Sequence, residues 1–348
     1  MMQISPETQL FIREHSSDDV RVLALQAKKY PDIDMPTAIT QIAGRKVAAE
    51  KIPSWWEIEK IWYPKHLSLE QCSSEITARY KARLLQGDSL TDLTGGFGID
   101  CSFLATGFKS TTYVERQEEL CEIAAHNFPV LNLNHINIKN EDGVTYLQAM
   151  SPVDCLFLDP ARRNEHGGKT VAISDCEPNV AELEELLLQK ANRVMIKLSP
   201  MLDLSLALKE LKQTQEVHIL SVNNECKELL ILLGQTSPAE ISIHCVNLFT
   251  KGTQKEQHFV FTREQEQCSE CTYTDSLETY LYEPNASLLK AGAFRSIAAA
   301  YPVRKLHPNS HLYTSDTFIE NFPGRIFRIV NQCSFNKKEV KENLADLK

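Results

Sequence analysis

No apolar run in this 348-residue chain is long enough to cross a membrane. The longest, such as Leu229–Leu233, fall far short of the roughly 18–20 residues that a bilayer span takes. The opening stretch, MMQISPETQLFIREH, lacks a basic segment followed by an apolar one, so no secretory signal is expected. There is no internal repeat and no low-complexity tract. A compact cysteine framework is also missing. The ten Cys are scattered along the chain, which fits reduced thiols and a cytoplasmic setting. What remains is ordinary globular material: 43% hydrophobic and 24% charged residues, enough chain for two or three domains with a real core.

The net charge of −9 speaks at first against a nucleic-acid partner, but it is unevenly spread. Residues 1–87 are nearly neutral at +1, residues 88–280 carry −14 and residues 281–348 carry +4. An acidic middle lies between a neutral head and a basic tail.

The head reads as helical. Val20, Leu23, Leu25 and Ala27 recur near helical spacing, MPTAITQIAGRKVAAEK is a second helical stretch, and a third runs from Ser68, as N-cap, to Leu85. All three tryptophans, Trp55, Trp56 and Trp62, fall between the last two; packing explains Trp55 and Trp56 more simply than base stacking does. From residue 88 short apolar runs alternate with helical stretches. Strands are expected at Ser89–Leu93, Thr111–Val114, Ile136–Lys139, Cys155–Leu158, Arg193–Lys197, Val217–Val222 and Leu229–Leu233, with helices such as Gln117–Phe128 and Val180–Lys190 between most of them. That alternation implies a parallel sheet with helices on both faces, which binds ligands beyond its C-terminal strand ends. Residues 235–280 turn β-like, and the segment from Tyr282 has its own character. It closes on a strand at Ile326–Val330 and a helix, KKEVKENLADL, after which no strand completes a second pairing, as in a domain cut or short at its end.

The strongest motif is TDLTGGFGID, Thr91 to Asp100, between a strand and a helix. Gly96 and Gly98 suit a tight turn that lets a ligand approach backbone N–H groups. Glu115 ends the second strand, placed to accept hydrogen bonds from a ribose diol; Asp142 follows the third, where an acid can meet an adenine amino group; Asp159-Pro160 closes the fourth. Two phosphate-binding fingerprints are absent. Cys101 stands where a dinucleotide site needs its third glycine, and no Gly-Lys-Ser/Thr follows. An adenosine cofactor without phosphates remains. Acids around the loop would repel a pyrophosphate and favour the sulfonium of S-adenosylmethionine.

DLTGGFGID, YVERQEELCEIA, NEDG and FLDPAR resemble motifs I to IV of class I S-adenosylmethionine-dependent methyltransferases. EQCSSEITARYKA, KLSPMLDL and YEPNASLLKAGAF are similar to segments of bacterial methyltransferases with a C-terminal THUMP-like domain, and the likeness covers most of the chain. It implies an α/β fold: an N-terminal helical region over 1–87, a Rossmann-like methyltransferase core over 88–234 with a seven-stranded sheet in the order 3-2-1-4-5-7-6, a small ferredoxin-like β-rich segment over 235–280, and a THUMP-like domain over 281–348. It places Asp92, Thr94, Gly96, Phe97 and Gly98 at the methionine and ribose of S-adenosylmethionine, Glu115 at the ribose hydroxyls, Asp142 with Gly143 around the adenine, and Asp159 also among the residues that meet the cofactor. Gln71, Ser73, Ser74 and Glu75 would reach the methionine end, although Ser and Glu also suit a plain helix start. Thr94 stands where many such enzymes have a first glycine.

The acceptor belongs near Asp159-Pro160-Ala161-Arg162. This loop lacks the aromatic that stacks on a base in amino methyltransferases, and offers Arg162 and Arg163, suited to a phosphate or carboxylate or to structural ion pairs. The fifth strand ends Lys197-Leu198-Ser199-Pro200 without a Cys, so a covalent uracil mechanism is not expected. Asp159 is the candidate for orienting or deprotonating the acceptor, unless it only caps a helix, and Lys197 is a second candidate. In the tail, Lys290, Arg295, Arg304, Lys305, Arg325 and Arg328 interleave with Phe294, Tyr301 and Tyr313. That pattern suits single-stranded RNA and equally a solvated face. The resemblance to enzymes with a THUMP-like domain implies an RNA partner, so RNA, as tRNA or rRNA, is expected, contacted through this basic tail. The alternatives are a small anionic metabolite or a protein as acceptor, or an RNA-binding module that has lost catalysis. No metal is expected: Cys268-x-x-Cys271 has no second pair, the ten His show no ligand spacing, and His126 and His135 read as surface or supporting groups.

Overall fold

The computed structural model describes residues 4–162, 172–236 and 238–345. The chain divides into two compact units, Met1–Gln215 with Leu230–Pro238, and Glu216–Leu229 with Ala239–Lys348.

The first unit begins with helices α1 (Pro6–Glu14), α2 (Val20–Leu25), α3 (Met35–Lys51), α4 (Pro53–Trp56), α5 (His66–Gln71) and α6 (Glu75–Ala82). Ser5, Asp19 and Asp34 start the first three, each side chain accepting a backbone N–H of the first turn. Phe11, Leu23, Met35, Ala38 and Ile42 close one apolar cluster. A second cluster joins Ala48, Ile52, Trp55, Ile61, Tyr63, Leu69 and Ala78 to Phe97, Ile99 and Ile123. The helical head thus belongs to the same compact unit as the sheet, joined to it through that second cluster. The single helix expected from Ser68 to Leu85 is broken. Cys72 and Ser74 are extended, at φ −66°, ψ 160° and φ −77°, ψ 156°, and Lys65, not Ser68, stands at the N-cap of α5.

The sheet of this unit has β1 (Ser89–Asp92), β2 (Ser110–Glu115), β3 (Ile136–Asn140), β4 (Val153–Leu158) and β5 (Ala191–Leu198), joined by α7 (Ile99–Ala105), α8 (Glu118–Val130), α9 (Gly143–Ala149) and α10 (Val180–Lys190). The strands run in the order β3-β2-β1-β4-β5, all parallel. β4 and β5 are nearly continuous apolar runs, Cys155–Leu158 and Val194–Ile196 being fully buried, because helices cover both faces. The direction of the order reverses between β1 and β4, which opens a crevice at their C-terminal ends. A short two-stranded ladder, Ala161–Arg162 with Cys176–Glu177, follows β4, and α11 (Leu204–Glu210) follows β5.

β6 (Thr214–Val222) and β7 (Glu225–Gly234) are joined by Asn223 and Asn224, both at positive φ, a two-residue hairpin turn. β7 lies beside β5, and β6 beside β7, which completes the order 3-2-1-4-5-7-6 expected of the sheet. Residues 235–280 do not make a separate segment. In the second unit β8 (Ser242–Leu248) pairs parallel to β6, and β9 (Glu256–Phe261) pairs antiparallel to β8, extending the same ladder. After α12 (Arg263–Cys268) comes a four-stranded sheet of β10 (Tyr280–Pro284), β11 (Arg304–Lys305), β12 (Tyr313–Ser315) and β13 (Gly324–Arg328), in the order β11-β12-β10-β13. Helices α13 (Ala286–Ala291) and α14 (Phe294–Ala300) lie between its strands, and α15 (Lys337–Ala345) follows. The last strand is set two residues earlier than its apolar run suggests. No described helix is long and apolar enough to cross a membrane, and all ten cysteines are unbridged.

Gly143 shows how tightly the crevice is built: a Cβ there would lie 2.2 Å from the Leu93 carbonyl oxygen. Because backbone cannot yield as a side chain can, Gly143→Ala should cost about 1–3 kcal/mol, read as a lower denaturation midpoint. An unchanged midpoint would show that α9 is free to shift.

Candidate active site

The glycine loop leaves β1 at the sheet crevice. Gly96 and Gly98 take φ of +54° and +86°, which only glycine adopts readily, and Gly98 begins α7. The loop is held from three sides. Gly96 N–H donates to Glu115 Oε2 at 2.9 Å, the Tyr113 hydroxyl donates to the Gly96 carbonyl, and Gly95 N–H donates to the Val114 carbonyl at 2.8 Å. Trp55 packs edge-on to Phe97, with ring centroids 5.2 Å apart. Glu115 also accepts the Gln117 N–H at 2.8 Å, so its carboxylate is rigid while each oxygen keeps a lone pair. Asp92 lies at the loop's start, 1% exposed. Its Oδ1 accepts the Thr94 N–H at 2.9 Å and its Oδ2 is buried without a hydrogen-bond partner. Burial, reinforced by Asp100, Asp159 and Glu115, pushes this carboxyl well above the usual range.

A second group of side chains meets beside the loop. Lys81 of α6 is fully buried, with Nζ 2.9 Å from Asp100 Oδ1 and donating to Ser73 Oγ at 2.8 Å. Ser73 donates in turn to Asp100 Oδ2 at 2.7 Å. Lys197, from the end of β5, lies 3.5 Å from Asp100 Oδ2 and 2.5 Å from Asp159 Oδ2. Thr94 Oγ1 accepts the Asp159 N–H at 2.6 Å, which fastens the loop after β4 to the loop after β1. Burial opposes the charge on Asp100, but Lys81, Lys197 and Ser73 outweigh it and hold the carboxyl low. At Asp159 burial prevails over Lys197 and the carboxyl is raised. The break between α5 and α6 is what presents Ser73 here.

Asp92, Thr94, Gly96, Gly98, Glu115, Ser73, Asp159 and Lys197 therefore gather around one crevice, with Pro160 buried next to Asp159, whereas the Phe97 ring turns into the apolar cluster of Trp55 and Tyr63. The other expected residues divide. Gln71 is exposed at the end of α5. Ser74 faces Thr77 Oγ1 at 3.2 Å. Glu75 accepts the Ser54 N–H at 2.8 Å and pairs with Arg79 at 2.7 Å, a helix-end role rather than membership of the charged group. Asp142 caps α9 through Oδ1, and Gly143 packs on Leu93. The Arg162 side chain and Arg163 lie outside the described residues. Lys81 and Asp100 were not singled out in the sequence. The available signal was a lysine three and four residues after the buried Ala78 and Thr77, on the apolar face of its helix.

The basic tail needs correction. Lys305 and Tyr313 belong to the core of the second unit, Lys305 donating to the carbonyls of His307 and Pro308, so neither can meet RNA. Arg304 pairs with Glu278, and Phe294 stacks on His311. Arg325, Phe327 and Arg328 remain accessible on β13, an edge strand. Cys268 closes α12 and Cys271 lies three residues beyond it, both as free thiols.

A solved structure described as a "putative methyltransferase" from Porphyromonas gingivalis W83 is 33% identical, over 99% of this chain and 87% of that one, with a TM-score of 0.85. The chain belongs to this methyltransferase family. A family described as a ferredoxin-like domain matches residues 280–323, within the segment expected to be THUMP-like and not at 235–280. An rRNA methylase from Streptococcus thermophilus and a "putative methyltransferase" from Streptococcus mutans in complex with SAH are each 14% identical. They cover 46% of this chain and 93% and 96% of their own, both with a TM-score of 0.33, too remote to bear on function. No curated protein matches the chain.

Two outcomes check the electrostatics of this crevice. Asp100→Asn leaves Lys81 buried without its counter-charge and should cost about 3–5 kcal/mol in chemical denaturation; a loss below about 1 kcal/mol would mean that Asp100 does not compensate Lys81. Asp92 has a folded-state pKa raised above its unfolded value, so its contribution worsens as pH rises above the ordinary Asp range. Asp92→Asn should therefore be more stable than the parent at pH 7 by about 1–3 kcal/mol, the advantage shrinking toward pH 4. A pH-independent difference would contradict the burial of its charge.

Proposed function

We propose that the protein transfers a methyl group from S-adenosylmethionine to an acceptor in RNA without a covalent cysteine intermediate. The observation that carries this reading is the buried, unpartnered Asp92 Oδ2 beside the left-handed glycines. An acceptor atom withdrawn from water and left without a donor fits a ligand that brings one. On the open side of Gly96 a Cβ would meet only the Thr94 carbonyl, at 3.8 Å, so the loop leaves room for that ligand. The groups present suit S-adenosylmethionine: Asp92 and the N–H groups of the glycine loop for its methionine and ribose, the braced Glu115 to accept from its ribose hydroxyls, Asp142 Oδ2 to accept from its adenine amino group.

When bound, the cofactor supplies the electrophilic methyl group. The chain's own residues hold the acceptor and its proton. Asp159 is kept in place by Thr94 through its backbone and by Lys197 through Oδ2, which leaves Oδ1 to accept a proton or a hydrogen bond from the acceptor. Burial raises the Asp159 pKa, which makes it a better base than an exposed aspartate. Cys72 is near enough to feel Lys51, Asp100, Lys197 and Lys81, yet burial pushes its thiol up to about 11. A neutral thiol is a poor nucleophile, which favours direct transfer.

RNA as substrate is supported by β13, where Phe327 is 45% exposed, the Arg325 guanidinium lies 5.7 Å from its ring centre and Arg328 follows. An exposed aromatic flanked by arginines is a stacking platform for an unpaired base. Calorimetry should show S-adenosylhomocysteine binding, weakened by about 1–3 kcal/mol in Asp92→Ala or Glu115→Ala. Asp159→Asn should keep that affinity while turnover falls about 10²–10⁴-fold. Nucleoside mass spectrometry of total RNA should show a methylated nucleoside missing from a deletion strain. Identical nucleosides would transfer the reading to a small anionic metabolite or a protein as acceptor; no cofactor binding would end it.

A further inference from the structure

Four ligand-type side chains come together in the second unit, on strands that the methyl-transfer crevice does not use. Glu216 and His218 are two residues apart on β6 and so point to one face of the sheet. The parallel register sets His244 of β8 directly beside His218. The two rings stack with centroids 4.3 Å apart and an interplanar angle of 16°. One ligand atom from each of Glu216, His218 and His244 lies within 4.8 Å of the other two. His258 of β9 joins from the far side, with Nε2 3.1 Å from His244 Nδ1.

We propose that Glu216, His218 and His244 bind a divalent transition-metal ion of the zinc class, with His258 as the outer partner that orients His244. Two imidazoles and one carboxylate are the donor set of an open four-coordinate site, with the fourth place left to solvent. Ligand nitrogens about 2.0–2.1 Å from a tetrahedral ion stand roughly 3.4 Å apart, so a spread within 4.8 Å closes by small side-chain rotations without moving the strands. His218 is 2% exposed and Glu216 is half-buried, so their positions are largely set before an ion arrives. A ligating histidine commonly gives its second ring nitrogen to a fixed partner, and His258 stands in that place. Nitrogen donors disfavour magnesium and calcium, which take oxygen ligands. The spacing 216, 218, 244 matches no local metal motif because the contact is made across neighbouring strands, not along one.

The test uses the full chain, reduced and titrated with Co²⁺, whose visible bands report its ligands. The expected result is one equivalent bound through nitrogen and oxygen, without strong thiolate charge-transfer absorption, and displaced by Zn²⁺. His244→Ala and Glu216→Gln should each weaken binding at least 10–100-fold, and His258→Ala by a smaller factor, while Cys268→Ser with Cys271→Ser should leave it unchanged. Glu216→Gln keeps the side chain's size, so the test stands if His244→Ala folds poorly. The proposal is overturned if no equivalent binds, if Glu216→Gln and His258→Ala both bind like the parent, or if the bound ion shows thiolate ligation that the cysteine changes remove.

Discussion

Lys81 has no access to water, and everything at the crevice is arranged around that fact. A lysine charge withdrawn from solvent costs several kcal/mol unless carboxylates and hydroxyls surround it. Asp100 and Ser73 provide those groups, Lys197 shares Asp100, and Asp159 completes the chain. The five side chains come from α6, the break before it, the first turn of α7, the end of β5 and the loop after β4. Satisfying one buried cation therefore fastens the helical head, the glycine loop and two strand ends to each other. It also keeps the head in one compact unit with the sheet, where Lys81 and the apolar cluster of Trp55, Tyr63 and Phe97 are both covered.

Asp92 follows the opposite logic. Its Oδ2 is buried with no donor, and three other acids stand near enough to raise its pKa further. Such a group lowers the stability of the free protein, the reverse of what Asp100 does for Lys81. Glu115 sits beside it with backbone N–H groups on both oxygens, so one acid has an unpaired oxygen and the other is braced. The same loop thus holds one carboxylate without a full set of partners and one that the backbone satisfies on both oxygens.

Much of this could be read from residue order. The left-handed positions show as Gly96 and Gly98, because no other residue adopts them readily. The strand ends show as Asp92, Glu115 and Asp159, since apolar runs of strand length stop there. Phe97 and Trp55 could be named as apolar, but not as partners. The break at Cys72–Ser74 was hidden, because the stretch from Ser68 to Leu85 keeps helical composition throughout and the interruption is decided by what Ser73 bonds to. The basic tail misled for the same reason. Lys305 and Tyr313 have the composition of an RNA surface, yet pairing within the four-stranded sheet turns both inward.

The sequence by itself determined the class of fold, the glycine loop and the acids at its rim, because these follow from local periodicity and from backbone conformations that few residues allow; the strand order came from the family resemblance. Tertiary structure alone decided which charges meet. Lys81 with Asp100, Lys197 with Asp159, and His218 with His244 are contacts between elements distant in sequence. Their energies depend on how completely water is excluded around them, a property of packing that no stretch of residues carries on its own.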